Sequence, residues 1–249
     1  MKVWGVTDIG LVRKENQDAF LLREQTASGH TVCVVCDGMG GSAGGRMASK
    51  IATETFMDEM ERVLSPGMEP EQLKAVSSYA VALANDAIQA AAEEVEEYRN
   101  MGTTLVCAVS YDGGVVISNV GDSRAYHITE NGITRITRDH SLVEELVRMG
   151  QITREQARTH PRRNIITRAL GTERSVEGDL FIHKVVPGEL LLLCSDGLTN
   201  ELSDSELWEY TVTGGAETAC KRLIDGALVR GAHDNVTAAL MELQSDTER

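Results

Sequence analysis

Three acidic dipeptides stand far apart in this chain: Asp37-Gly38, Asp196-Gly197 and Asp234-Asn235. Asp-Gly is also an ordinary hairpin dipeptide, so each must be weighed against a plain turn. Asp112-Gly113 reads as such a turn, because strand-like runs flank it on both sides. Asp37-Gly38 does not. The apolar run Val32–Cys36 precedes it, and a glycine-rich string leading into a helical stretch follows. Asp196-Gly197 does not either, since Leu190–Cys194 precedes it and the capping pattern Ser203-x-x-Glu206 opens a helix soon after. Both read as an Asp at the end of a buried strand, with the next Gly freeing the backbone, so that a carboxylate projects into a cleft beyond the strand end. Asp122 ends another strand after Gly121, and Asp234 opens the last one.

Clustered carboxylates repel one another and stay ionised only beside a cation. Hard oxygen ligands suit Mg²⁺ or Mn²⁺, and Mg²⁺ keeps several of its waters. Two such ions ~4 Å apart would generate hydroxide and clamp a phosphoryl group for in-line displacement. A phosphate also needs a positive partner. Arg13, in the Arg13–Asp18 segment, offers forked donors that match phosphate oxygens, against the plainer reading of a solvated loop. Arg148–Arg168 carries six Arg and one Glu. It reads either as a solvated basic face or as a mobile flap that meets an acidic or phosphorylated peptide.

The elements that must hold these residues follow from periodicity. Val3–Thr7, Ala19–Arg23 and Thr31–Cys36 are strand-like, and helical stretches follow over Gly45–Leu64 and Glu71–Tyr98. A meander comes next: Thr104–Ser110, Val115–Val120, Arg124–Thr129 and Ile133–Thr137. Asp139–Arg168 breaks the β pattern, with capping boxes at Ser141-x-x-Glu144 and Thr153-x-x-Gln156 and a helix stop at Gly150. Strands at Leu180–Val186 and Leu190–Cys194 precede two helices, Asp204–Thr213 and Ala216–Arg230, and a last strand at Val236–Leu243. The runs Val32–Cys36 and Leu190–Cys194 are apolar on both faces, so those strands should be covered on both sides. Together these predict one layered domain with mainly antiparallel sheet.

The formal net charge of −14 over 249 residues opposes binding to nucleic acid or an anionic membrane. The longest apolar runs are far short of a membrane span, and no secretory signal opens the chain. Five cysteines are read as buried thiols of a reducing cytoplasm. Cys33 and Cys36 form a C-x-x-C string, but three strand steps separate them by ~10 Å, too far for a disulfide.

Seven strings in order carry a resemblance: TDIGLVRKENQD (Thr7–Asp18), CDGMGG (Cys36–Gly41), MGTT (Met101–Thr104), VGDSR (Val120–Arg124), RDHS (Arg138–Ser141), CSDGLTN (Cys194–Asn200) and HDNVT (His233–Thr237). Each is weak alone, but the ordered set spans almost the whole chain. It resembles the PPM-type protein serine/threonine phosphatases (the type 2C class), particularly the compact bacterial ones. The resemblance implies an α+β fold, a four-layer α-β-β-α sandwich of two mainly antiparallel sheets with helix pairs on both outer faces. It implies a single phosphatase domain over residues 1–244 with a flap over 141–168, followed by a polar tail at 245–249. Asp37 would bridge two metals, joined by the Gly38 carbonyl. Asp196 and Asp234 would complete the second ion's ligands, Asp18 would hold a metal-bound water, and Asp122 with Asp196 would support a looser third ion. Arg13 would bind the substrate phosphate, and a metal-bound hydroxide would attack phosphorus without a phosphoenzyme. The expected partners are phosphorylated proteins and a cognate membrane-anchored Ser/Thr kinase, met by a cytoplasmic monomer.

One position departs from many eukaryotic members, which have His where this chain has Met39, and a thioether is no proton donor. A metal-bound water is the first choice of general acid, with His140 and His160 behind it. His140 is read foremost as an anchor of the flap, and His127 and His183 as packing residues of strands. The competing reading is a non-catalytic phosphoprotein-binding relative, which would be expected to have lost metal acids or Arg13. This chain keeps them. A second rival, a phosphatase confined to an anti-sigma-pathway phosphoserine protein, usually lacks much of the Arg13–Asp18 motif and carries sensory domains.

Overall fold

The computed structural model describes residues 1–242. Strands β1 (Lys2–Asp8), β2 (Asp18–Arg23) and β3 (Val32–Met39) come first. Helices α1 (Gly41–Val63) and α2 (Pro70–Glu94) follow, and a single 3-10 turn spans Glu96–Tyr98. The middle holds β4 (Gly102–Thr103), β5 (Leu105–Tyr111), β6 (Gly114–Val120), β7 (Arg124–Thr129) and β8 (Gly132–Arg135). The short helices α3 (Leu142–Arg148) and α4 (Arg154–Arg158) lead to β9 (Asp179–Lys184) and β10 (Leu190–Cys194). The chain closes with α5 (Asp196–Glu201), α6 (Asp204–Thr211), α7 (Ala216–Val229) and β11 (Val236–Glu242).

One sheet has the order β1-β11-β10-β7-β8 and the other β2-β3-β5-β6-β9, with β4 on β3. The described pairings are antiparallel. The two-residue period of a strand explains the layers. Val32, Val34 and Cys36 face a core shared with α1 and α2, including Phe56, Met60 and Leu73. Cys33 and Val35, on the opposite face, meet Leu191, Leu193 and Ala239 of the other sheet. Leu190, Leu192 and Cys194 in turn face Leu207, Cys220 and Leu223 of α6 and α7. Four layers result, and both continuous apolar runs are covered on both faces, as their composition requires. All five cysteines are buried and unpaired. No helix among the described residues is long and apolar enough to cross a membrane.

Local signals set many ends. Pro70 starts α2, and Gln72 accepts a hydrogen bond from the Glu69 amide at 2.9 Å. Reciprocal capping boxes open α4 at Thr153 and α6 at Ser203. At α3 only half the expected box forms. Ser141 accepts from the Glu144 amide, but the Glu144 carboxylate is held by Arg135 at 3.0 Å and Arg154 at 3.3 Å. Ion pairing to two guanidinia outcompetes a return bond to the backbone.

Three expectations change. Asp37-Gly38 is not a turn beyond a strand but lies within β3. Asp196-Gly197 is the first turn of a helix, α5, which makes three helices before the last strand instead of two. The predicted Glu71–Tyr98 helix ends at Glu94, and a separate 3-10 turn follows. The polar tail at 245–249 lies outside the described residues, as do residues 243 and 244. His127 and His183 meet edge to face, with ring centroids 4.7 Å apart, and His127 Nε2 also reaches Glu189 Oε2 at 2.8 Å.

Candidate active site

A cleft of about 430 Å³ brings together Arg13, Asp37, Gly38, Met39, Asp122, Asp196, Asp234 and Asn235, with Asn164 and Ile166 from the segment after α4. Each acid is delivered by a different element. In the β2–β3 register Asp18 lies directly opposite Asp37. The Asp37 backbone is fully engaged: its amide donates to Thr104 Oγ1 at 2.9 Å, and its carbonyl accepts from the Thr104 amide and from Thr103 Oγ1, each at 2.9 Å. Gly38 is needed for space. A Cβ there would sit 2.0 Å from the Gly45 carbonyl oxygen, where the start of α1 crosses the strand. Asp122 follows Gly121, whose φ of +100° turns the chain out of β6.

Asp196 opens α5, where the helix N-terminus favours a negative side chain. Its Oδ2 accepts from Asn200 Nδ2 at 2.9 Å, and its Oδ1 is buried without a donor. Asp234 Oδ1 accepts from the Asn235 amide at 2.8 Å, while Oδ2 receives Arg13 Nη2 at 2.6 Å. The Asn235 side chain spans the loop before β2. Its Nδ2 donates to the carbonyls of Ile9 and Glu15, both at 2.9 Å, and its Oδ1 accepts from the Gln17 amide at 2.8 Å. Arg13 is thereby presented at the rim on a tethered loop.

Asp18 lies beneath the cleft. Its Oδ2 accepts from Ser195 Oγ at 2.7 Å and Thr237 Oγ1 at 2.6 Å, and its Oδ1 is buried without a partner. Burial pushes its carboxyl up to about 7. The two hydroxyls oppose that rise, and Asp196 and Asp234 add to it. Burial, then the charges of Asp18 and Asp196, holds Asp37 well above the carboxylate range. Burial and Asp196 do the same to Asp122, against the pull of Arg124. Asp196 is raised by burial and by Asp234. The missing ingredient is positive charge, and three buried carboxylate oxygens at the cleft, Glu15 Oε2, Asp18 Oδ1 and Asp196 Oδ1, have no hydrogen-bond donor among the described residues. Hard divalent cations supply what the group lacks, so the donor set fits them. No three His, Cys, Asp or Glu among the described residues converge to enclose an ion unaided, so water and backbone carbonyls would complete a shell.

The two histidines considered as acids are engaged elsewhere. His140 Nδ1 accepts from the Gly121 amide at 3.0 Å, and its Nε2 faces Arg168 and Asp179. The Gly121 carbonyl accepts from the His140 amide at 2.9 Å, and the His140 carbonyl accepts from the Thr167 amide at 2.8 Å. This residue ties the start and end of the 141–168 segment to the turn bearing Asp122. His160 Nδ1 accepts from the Arg162 amide within that segment, away from the cleft. Sequence reasoning missed Ser195, Thr237 and Thr104. Hydroxyl residues in strands and at strand ends carry no local signal of the acid they will meet.

A profile of the family described as protein phosphatase 2C matches residues 12–230. The chain is 37% identical over 241 residues to the serine/threonine phosphatase stp of Listeria monocytogenes, across 95% of this chain and 93% of that protein. It superposes on the crystal structure of serine/threonine phosphatase Stp1 from Staphylococcus aureus with a TM-score of 0.92 at 40% identity, covering 98% of this chain and 95% of that one. The crystal structure of the catalytic domain of the serine/threonine protein phosphatase PstP in complex with two manganese ions matches at a TM-score of 0.86 and 31% identity, over 98% of each chain.

Proposed function

Because the chain belongs to the protein phosphatase 2C family and is a metal-dependent protein serine/threonine phosphatase, we propose that its cleft acids hold the divalent ions and that Arg13 receives the substrate phosphate. The observation that carries this assignment is the set of raised, mutually repelling carboxyls around the donorless oxygens of Asp18 and Asp196. Asp37, the Gly38 carbonyl, Asp196 and Asp234 would hold two ions, and Asp122 with Asp196 a third. Bound there, Mg²⁺ or Mn²⁺ supplies Lewis acidity toward water and phosphoryl oxygens.

The remaining work falls to the chain itself. Arg13 is half-exposed at the rim, and only its Nη2 is bonded to a described residue, so the rest of the guanidinium fork is open to a phosphoryl group. Asp18, held by Ser195 and Thr237, orients water at the cleft floor. Met39 lines the cleft but cannot donate a proton, and both histidine candidates are engaged elsewhere, so water is the proposed proton source for the leaving alkoxide. The partners proposed are proteins phosphorylated by a Ser/Thr kinase, met by a monomer. The five unpaired thiols support a reducing cytoplasm. One catalytic domain over 1–244, with 141–168 as a flap pinned through the Ser141–Ile166 bridge, is the organisation we favour.

The test is Mn²⁺-dependent release of phosphate from phosphoserine and phosphothreonine peptides and from p-nitrophenyl phosphate. Asp196→Asn should lower kcat by ~10²-fold or more and weaken Mn²⁺ binding by calorimetry. Full activity in that variant would sink the site assignment.

A further inference from the structure

A second cavity is larger than the acidic cleft. It encloses about 530 Å³ between α3 and α4 on one side and the ends of β7, β8 and α5 on the other. Asp122 and Asp196 belong to its wall as well as to the cleft, so the two spaces adjoin. Six arginines line it in a chain of net charge −14.

Three of the six are committed to the wall. Arg124 binds Asp139 through both Nε and Nη2, the latter at 2.7 Å. Arg135 reaches Asp139 at 3.4 Å and Glu144 at 3.0 Å, and Arg154 reaches Glu144 at 3.3 Å. Asp139 and Glu144 are buried, so these pairs fasten α3 to the sheet edge and use up both acids. A further lining acid, Asp204, accepts from Tyr126 Oη. Arg138, Arg158 and Arg163 remain. Their side chains are exposed and make no ion pair or side-chain hydrogen bond to any described residue. Three unspent guanidinia converging on one cavity are an anion-binding surface, because each offers a planar fork matched to a carboxylate or phosphate.

We propose that this cavity binds an anionic side chain of the substrate protein, the carboxylate of an acidic residue or a second phosphoryl group, flanking the phosphoresidue held in the cleft. The inference rests on the phosphatase reading of the cleft. A peptide is the fitting occupant because the shared wall at Asp122 and Asp196 lets one extended chain place a phosphoresidue in the cleft and a near neighbour over the arginines. Selectivity then comes from charge and is gained in binding.

The experiment uses the full chain loaded with Mn²⁺ and a set of phosphothreonine peptides. One has neutral flanks, and the others carry a single Glu or a single phosphoserine at successive flanking positions. Wild type should favour peptides with the anion at one side and spacing by about tenfold in kcat/KM, expressed mainly in KM, the size of one or two charge-assisted contacts. That preference should fade at ~0.5 M salt. Arg158→Glu with Arg163→Glu should abolish it while p-nitrophenyl phosphate turnover is unchanged. Preference for both anions assigns a general anion site, and preference for phosphoserine alone assigns a second phosphate site. A flat wild-type profile, or an equal preference in the double variant, overturns the inference. Failure of the wild type on p-nitrophenyl phosphate would instead count against the phosphatase reading.

Discussion

Asp18 shows how a single residue reports on the site. Burial lifts its carboxyl to about 7 from an ordinary 3.8 even though Ser195 and Thr237 both donate to it. The folded chain therefore holds this proton more tightly than the unfolded chain does. Its contribution to stability is full below pH ~4 and is lost as pH rises toward ~7, by up to ~1.4 kcal/mol per pH unit. Without divalent cations, the thermal midpoint of Asp18→Asn should fall less steeply between pH 5 and 8 than that of the wild type. Parallel slopes would show that the carboxyl is not buried against its neighbours as described. Asp18 was legible as a motif residue, but its partners were not. Ser195 and Thr237 lie 177 and 219 positions away, and only the packing of one sheet against the other brings them to it. Arg13 could be singled out along the chain as a candidate for the phosphate, while its contact with Asp234, 221 positions on, could not.

At the scale of elements, one dipeptide serves two purposes at three places. Gly113 has a φ of +90°, and a Cβ added there would meet nothing within 4 Å, so its hairpin needs conformation and not room. Gly38 and Gly197 need room. A Cβ at Gly38 would lie 2.0 Å from the Gly45 oxygen, and one at Gly197 would lie 2.0 Å from the Asn235 oxygen. Sequence reading separated the hairpin from the other two correctly by their flanks, but ascribed the wrong property to those glycines. Gly197→Ala should cost ~1–3 kcal/mol in stability and also weaken Mn²⁺ binding, because it displaces the segment carrying Asp234 and Asn235. Gly113→Ala should cost ~1 kcal/mol, from φ alone, and leave Mn²⁺ binding intact. Calorimetric titration alongside melting decides, and equal metal affinity in both variants would refute the distinction. The short helix α5 escaped sequence reading because six residues starting with Asp-Gly show no helical period.

For the whole molecule, the proposed ion binding by the cleft acids would make divalent cations part of the folded state. At ~100-fold excess over Kd, ligand linkage adds ~2.7 kcal/mol, or about 5–10 °C for a chain of this length. Mn²⁺ should raise the thermal midpoint by that amount at pH 8 and by less at pH 5, where protons already relieve the repulsion. No shift at pH 8 would show that the acids do not bind ions as a group. The longer strands and helices and the doubly covered strands were set by local composition and period, which act over a few residues and so can be read along the chain, while singling out the acids rested also on the ordered motif strings. Which acids face one another, which hydroxyls hold Asp18, which glycines stand under a crossing backbone and where three arginines are left unpaired were decided by tertiary structure alone. Most of those relations come from register and layer packing between segments with no local trace of each other, and the hold of Ser195 and Thr237 on Asp18 exists only once the two sheets close face to face.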